Sequence, residues 1–191
     1  VSTRGQNRDL FSQGADGSTP ARLLLDLPQD VNEAQWSRDG RWLVFRRGNL
    51  PATDIEALRP GVDSAPTVLV ATNFAERSPA LSPDGRWLAY ASDESGRVEV
   101  YVRPFPDAAR AKWQVSLSGG TEPLWSHSGR ELFYRNPNGD MVAAAITTQP
   151  TFAVASQAVL FPGSAVLIEA AHREYDVAPD DQRFLMLRQH G

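Results

Sequence analysis

Apolar positions along the chain come in short runs separated by clusters of Gly, Pro, Asp and Ser. The run "WLAYA" at 87–91 and the run "VEVYV" at 98–102 are typical: a few residues long, rich in aromatic and β-branched side chains, and bounded by turn residues. Such runs predict strands, and the 3.6-residue spacing of an amphipathic helix is nearly absent. Only "AAH" and its neighbours, 169–174, suggest a short turn of helix.

The runs repeat. "WSRDGRWLVFR" begins at Trp36, "LSPDGRWLAYA" at Leu81, "WSHSGRELFYR" at Trp125 and a degenerate "VAPDDQRFLMLR" at Val177. Ser37, Ser82, Ser126 and Ala178 hold equivalent places, 45, 44 and 52 residues apart. That lies near the roughly 40 to 50 residues of one propeller blade. In the phrase Ser-Pro-Asp-Gly, Pro fixes φ, Asp can bond the backbone ahead of it, and Gly supplies a positive φ, so each phrase reads as a hairpin turn.

Within the second unit the strands are expected at 78–81, 87–91, 98–102 and 113–116, a four-stranded meander. The segments 8–12 and 21–25 match third and fourth strands, while 174–177 and 184–188 match a first and a second. The expected fold is therefore an all-β propeller of four-stranded antiparallel blades. Its units are a half-blade at 8–25, blades at 33–70, 78–116 and 121–161, and a half-blade at 174–188. Complementary half-blades would close a ring and leave no unpaired edge at the seam. Three arrangements stay open: a four-bladed ring within one chain, an eight-bladed homodimer made by exchange of halves, or a fragment of a longer propeller.

Composition narrows the functions. With 191 residues, 41% of them hydrophobic, and five Trp and eight Phe, the chain can bury a substantial core. A net charge of -4 gives no electrostatic footprint for nucleic acid or an anionic membrane. No apolar run approaches the roughly 18 to 20 residues of a membrane span, so the chain as given is expected to be soluble. The absence of cysteine excludes disulfides and thiolate chemistry and leaves the compartment open.

The phrase "SPDGRWLAY", followed by "EVYVRPFP" from Glu99 and "GGTEPLWSHSGRELFYR" from Gly119, resembles the TolB-type β-propeller repeat. More narrowly, "YVRPFP", "GGTEP" and "YDVAPDDQRFLM" together resemble the C-terminal propeller of bacterial transmembrane serine/threonine protein kinases. That resemblance implies an extracytoplasmic sensor propeller. No Gly-rich nucleotide loop, His-Arg-Asp or Asp-Phe-Gly is present, so phosphoryl transfer is not expected of this chain. No Gly-x-Ser-x-Gly elbow is present either, against a serine hydrolase. The chain departs from the repeat at His127-Ser128, which replace Pro-Asp, and at Asp181, which replaces Gly.

Candidate site residues follow from the repeat. Glu33, Ser78, Glu122 and Glu174 each lie three positions before a motif's leading residue. If the first strands share one register, these side chains ring one mouth of the axial channel. Three carboxylates there, Glu33, Glu122 and Glu174, would raise each other's pKa or recruit a hard cation such as Ca²⁺. Against this stands the simpler expectation that they are solvated, or accept hydrogen bonds from neighbouring blades. His127 and His190 read as loop residues, and His172 is singled out by the long last connection. Asp39, Asp84, Arg41, Arg86 and Arg130 repeat with the turns and read as structural. The five Trp are expected between blades. The loop "YVRPFPDAARAK" is expected to be exposed and available to a partner.

The expected function is a non-catalytic ligand- or protein-binding module, the sensor or scaffold part of a larger bacterial receptor. The first rival is a metal-assisted hydrolase of esters or phosphoesters at the channel, and the second a structural oligomerisation unit.

Overall fold

The computed structural model describes residues 2–3, 7–163 and 172–187. Among them, seventeen strands form five antiparallel sheets. The N-terminal sheet contains β1 (Ser2–Thr3), β2 (Arg8–Ser12) and β3 (Arg22–Leu25). Three four-stranded meanders follow. The first is β4 (Val31–Trp36), β5 (Leu43–Arg47), β6 (Asp54–Leu58) and β7 (Thr67–Val70). The second is β8 (Arg77–Leu81), β9 (Trp87–Ser92), β10 (Glu99–Pro104) and β11 (Trp113–Gln114). The third is β12 (Thr121–Trp125), β13 (Glu131–Arg135), β14 (Met141–Thr147) and β15 (Ala153–Phe161). A hairpin of β16 (Tyr175–Val177) and β17 (Phe184–Met186) ends the described chain. No helix among the described residues is long and apolar enough to cross a membrane.

The repeated phrase builds the same turn between first and second strands each time. Ser37 N donates to Trp42 O and Gly40 N to Ser37 O, each at 2.8 Å, with Gly40 at φ 69°. The Ser37 hydroxyl donates to Asp39 and accepts from Trp42 N. Ser82, Asp84 and Trp87 repeat these bonds. The fourth copy keeps the backbone pattern, with Asp181 itself left-handed at φ 58°.

Alternation along the strands explains why the apolar runs are nearly continuous. On β5, Leu43 and Phe45 pack toward the N-terminal sheet, whereas Val44 packs toward the second meander. Likewise Leu132 and Tyr134 of β13 join the cluster shared with the second meander, and Phe133 joins the one shared with β16 and β17. Each meander is thus buried on both faces, and the sheets stack in chain order. Four of the five Trp serve these interfaces. Trp125 is buried, with its indole N–H donating to Ala80 O of the neighbouring sheet. Trp87 and Trp113 pack on Phe152, and Trp42 meets Phe105 edge to face. Trp36 departs from that expectation and is 46% exposed.

Three other expectations change. The loop after β10 is exposed at Pro106, Asp107, Ala109, Arg110 and Lys112, but it is anchored, because Phe105 and Ala108 are buried in the core and Arg103 donates to Tyr90 Oη and Ala108 O. The N-terminal sheet has a third strand: β1 pairs with β2 through Ser2↔Asp9 and Thr3↔Arg8. It lies on the edge where a second strand of a blade would pair. Among the described residues no strand pairing joins β16 and β17 to β1–β3. His190, and most of the 163–173 connection with its suggested helical turn, lie outside the described residues.

Candidate functional site

The first strand of each of the three meanders carries a β-bulge at one repeated position. The register shifts between Asn32 and Gln35, between Arg77 and Ala80, and between Thr121 and Leu124. At the bulges Glu33, Ser78 and Glu122 have φ of 49°, 52° and 56°. A left-handed backbone costs a non-glycine residue about 1–2 kcal/mol, so the conformation must be held by its surroundings. These are the residues that the repeat singles out as candidates.

The carboxylates of Glu33 and Glu122 bind the next unit. Glu33 accepts from Ser78 N at 3.0 Å and Ser78 Oγ at 3.3 Å, and from Arg46 Nε at 2.7 Å. Glu122 accepts from Glu174 N at 3.3 Å, while Tyr175 Oη donates to Glu122 O at 2.7 Å. The bonds to Ser78 and to Glu174 N join one candidate position to the equivalent position of the following unit, whereas Arg46 holds Glu33 from within its own meander. The expected alternative of hydrogen bonding between blades therefore describes both glutamates.

Glu122 is the less satisfied of the two. It is fully buried, its Oε1 has no hydrogen-bond partner, and Arg135 Nη1 stands 4.0 Å from Oε2. Burial pushes its carboxyl up to about 7, against the lowering by the Glu174 amide and Arg135. Burial likewise pushes the Tyr175 phenol up.

The described carboxylates of Glu33 and Glu122 engage in contacts between units. Hard cations take six to eight oxygen ligands, and among the described residues no three His, Asp or Glu side chains are grouped to hold a metal. Glu33, Ser78 and His172 do come together, lining a cavity of about 280 Å³ with Arg173. His172 Nδ1 is 4.0 Å from Glu33 Oε1.

A second cavity, of about 330 Å³, is lined from four units: by Gln35 and Trp36, Leu81, Trp125, and Val177 with Arg173. A third, of about 400 Å³, shares Arg38, Ser82, Pro83 and His127 with it and extends between the turns to Arg130. The innermost strands and their turns thus surround a common hollow.

The two departures from the repeat meet beside it. Asp181 accepts from His127 N at 2.8 Å and Ser128 N at 3.1 Å, and His127 Nδ1 lies 2.9 Å from Asp181 Oδ1. These contacts hold the Asp181 carboxyl below the usual range despite its burial. Replacing Asp by Ser128 also changes Arg130. Arg41 and Arg86 pair with Asp39 and Asp84 of their own turns, whereas Arg130 makes no ion pair among the described residues. Sequence reasoning missed Arg38 and Arg173 as lining residues. The signal for Arg38 lies in the second turn position, where Pro83 and Pro179 alternate with the basic Arg38 and His127.

No family model matches this chain. The Tol-Pal system protein TolB of Francisella tularensis is 22% identical over 97% of this chain and 41% of its own length. TolB of Acinetobacter baumannii superposes with a TM-score of 0.68 at 12% identity, over 92% of this chain and 41% of that one. A gluconolactonase of Xanthomonas campestris superposes at 0.60 with 17% identity, over 93% and 61%. The chain therefore spans 41% of the length of each of these two TolB proteins. It shares the fold of TolB and other β-propeller proteins at long distance. The likeness does not single out the kinase propeller that its motifs resemble.

Proposed function

We propose that this chain is a binding module of a larger bacterial protein, presenting the hollow between its innermost strands to a ligand or protein segment. The observation that carries the reading is that four sequence units contribute side chains to one cavity of about 330 Å³, at the lower end of the size of small-ligand sites. A part in a sensor, such as that of a transmembrane serine/threonine kinase outside the cytoplasm, is supported by the "YVRPFP", "GGTEP" and "YDVAPDDQRFLM" motifs. The distant likeness to TolB supports a scaffold or binding role in the same compartment.

The hydrolase reading is the weaker one, because Glu33 and Glu122 each hold a backbone amide of the next unit. A thermal-shift screen with small molecules and candidate partner proteins, read together with the emission of the exposed Trp36, tests the binding role. Ligands that bind the folded state raise the melting temperature. Ester or phosphoester turnover abolished both by chelation and by Glu122→Gln would instead favour the hydrolase.

A further inference from the structure

From the turns around the hollow we infer a binding site for a small organic anion, a ring of about sugar size bearing a carboxylate or a phosphate. The inference rests on the binding role proposed above and specifies its ligand. Arg38 lies at the junction of two adjoining cavities, with Arg130 lining one and Arg173 the other.

This cationic lining stands out in an acidic chain. Most arginines of the sheets are neutralised nearby, as Arg41 is by Asp39, Arg47 by Glu56, Arg59 by Asp63 and Arg97 by Glu99. Arg38 and Arg130 have no such pair among the described residues, and Arg173, which donates to the Tyr175 carbonyl, makes no close ion pair among them, though its charge also acts on Glu122. Two acids share the lining, Asp176 in the cavity with Trp36 and Asp84 in the one with Arg130, so these three arginines face two carboxylates across the adjoining cavities. Asp84 accepts from Ser82 and Arg86, Asp176 from Val177 N, and Asp181 from the His127 turn. Arg38 and Arg130 are exposed and Arg173 is half-buried, and guanidinium groups match carboxylate and phosphate oxygens in bidentate geometry.

Trp36 supplies the remaining feature. It lines the 330 Å³ cavity while remaining 46% exposed, so an apolar ring face is available to the body of a ligand. The cavity admits a compact molecule rather than a folded segment. A cationic rim with one open aromatic wall selects an anion that carries a ring.

Calorimetric titration of the chain with glucuronate, glucose 6-phosphate and glucose tests the site. Binding of either anion, weakened by salt and not shown by glucose, is the expected result, and which anion binds identifies the acid group. Arg38→Ala and Arg130→Ala should each weaken it about tenfold. Arg22→Ala, an exposed arginine on β3, should leave it unchanged, and unaltered melting temperatures show that the variants fold. Equal binding of glucose, an equal effect of Arg22→Ala, or binding of neither anion overturns the inference. If neither anion binds while Trp36 emission responds to another ligand in the screen, the anion assignment fails and the binding role stands; silence in both removes both.

Discussion

Asp181 occupies a place that glycine fills in the three earlier turns, and it keeps the left-handed backbone that glycine would adopt without cost. What holds it there is the neighbouring turn, whose His127 and Ser128 amides its carboxylate accepts. Restoring the glycine would relieve about 1 kcal/mol of backbone cost but delete hydrogen bonds to a charged group worth about 1.5–3 kcal/mol. Asp181→Gly should therefore lower stability by about 1 kcal/mol in urea unfolding, and a stabilised variant would show that the contact between turns contributes nothing. Glu122 makes the opposite kind of prediction. Its carboxyl is raised from 4.5 to about 7 in the folded chain, so the folded state binds the proton more tightly than the unfolded one. Its contribution is full below about pH 4.5 and is lost as pH rises through about 7, a fall of roughly 3 kcal/mol. Arg135, Arg173, Glu174 and the Tyr175 hydroxyl are the groups around it. Glu122→Gln, which can still accept from Glu174 N, should flatten the decline between pH 5 and 8 in pH-dependent urea melts. An unchanged slope would place the titration elsewhere, with Glu76, also raised by burial, the next residue to test.

At the scale of elements, the turn is where sequence and structure agree most closely. Ser82 Oγ donates to Asp84 and accepts from Arg86 N and Trp87 N, so its loss leaves the head of β9 without anchors. Ser82→Ala and Ser37→Ala should each cost about 1–3 kcal/mol, whereas Arg41→Ala and Arg86→Ala, which remove exposed pairs, should cost under about 1 kcal/mol. Equal losses in chemical denaturation across the four variants would contradict this ordering. The strands were legible for the same reason: a repeated Ser-x-Asp-Gly phrase fixes where each hairpin turns, and the second unit's strands start within a residue of their expected positions. The bulges were not legible, because Glu33, Ser78 and Glu122 are ordinary residues in a left-handed backbone that glycine alone would have advertised. Their repetition marked them, but the chemistry behind it was a bond to the next sheet. Arg38 escaped notice because it departs from a proline, and a departure gains meaning only when the turn position is known to face the hollow.

For the whole molecule, the stacking of sheets decides what the ends do. Hydrophobic clusters join each sheet to the next in chain order, from β2 and β3 against the first meander to β16 and β17 against the third. The step that would complete a circle is a pairing of β17 with the N-terminal sheet, where β1 already covers part of the edge of β2. One observation argues for completion within a single chain. Arg173 and Val177, next to or within β16, line the same cavity as Gln35 and Trp36 of β4, although two meanders separate the first meander's β4 from the last hairpin in chain order. Exchange of halves between two chains would make a wider ring and spread these residues apart. Light scattering across a dilution series should therefore give 20.9 kDa, the mass of one chain, at every concentration. A stable mass of twice that value would mean that the hairpin completes a partner's sheet, that the hollow is wider than the cavities described, and that the arginines lining it no longer converge on one small anion.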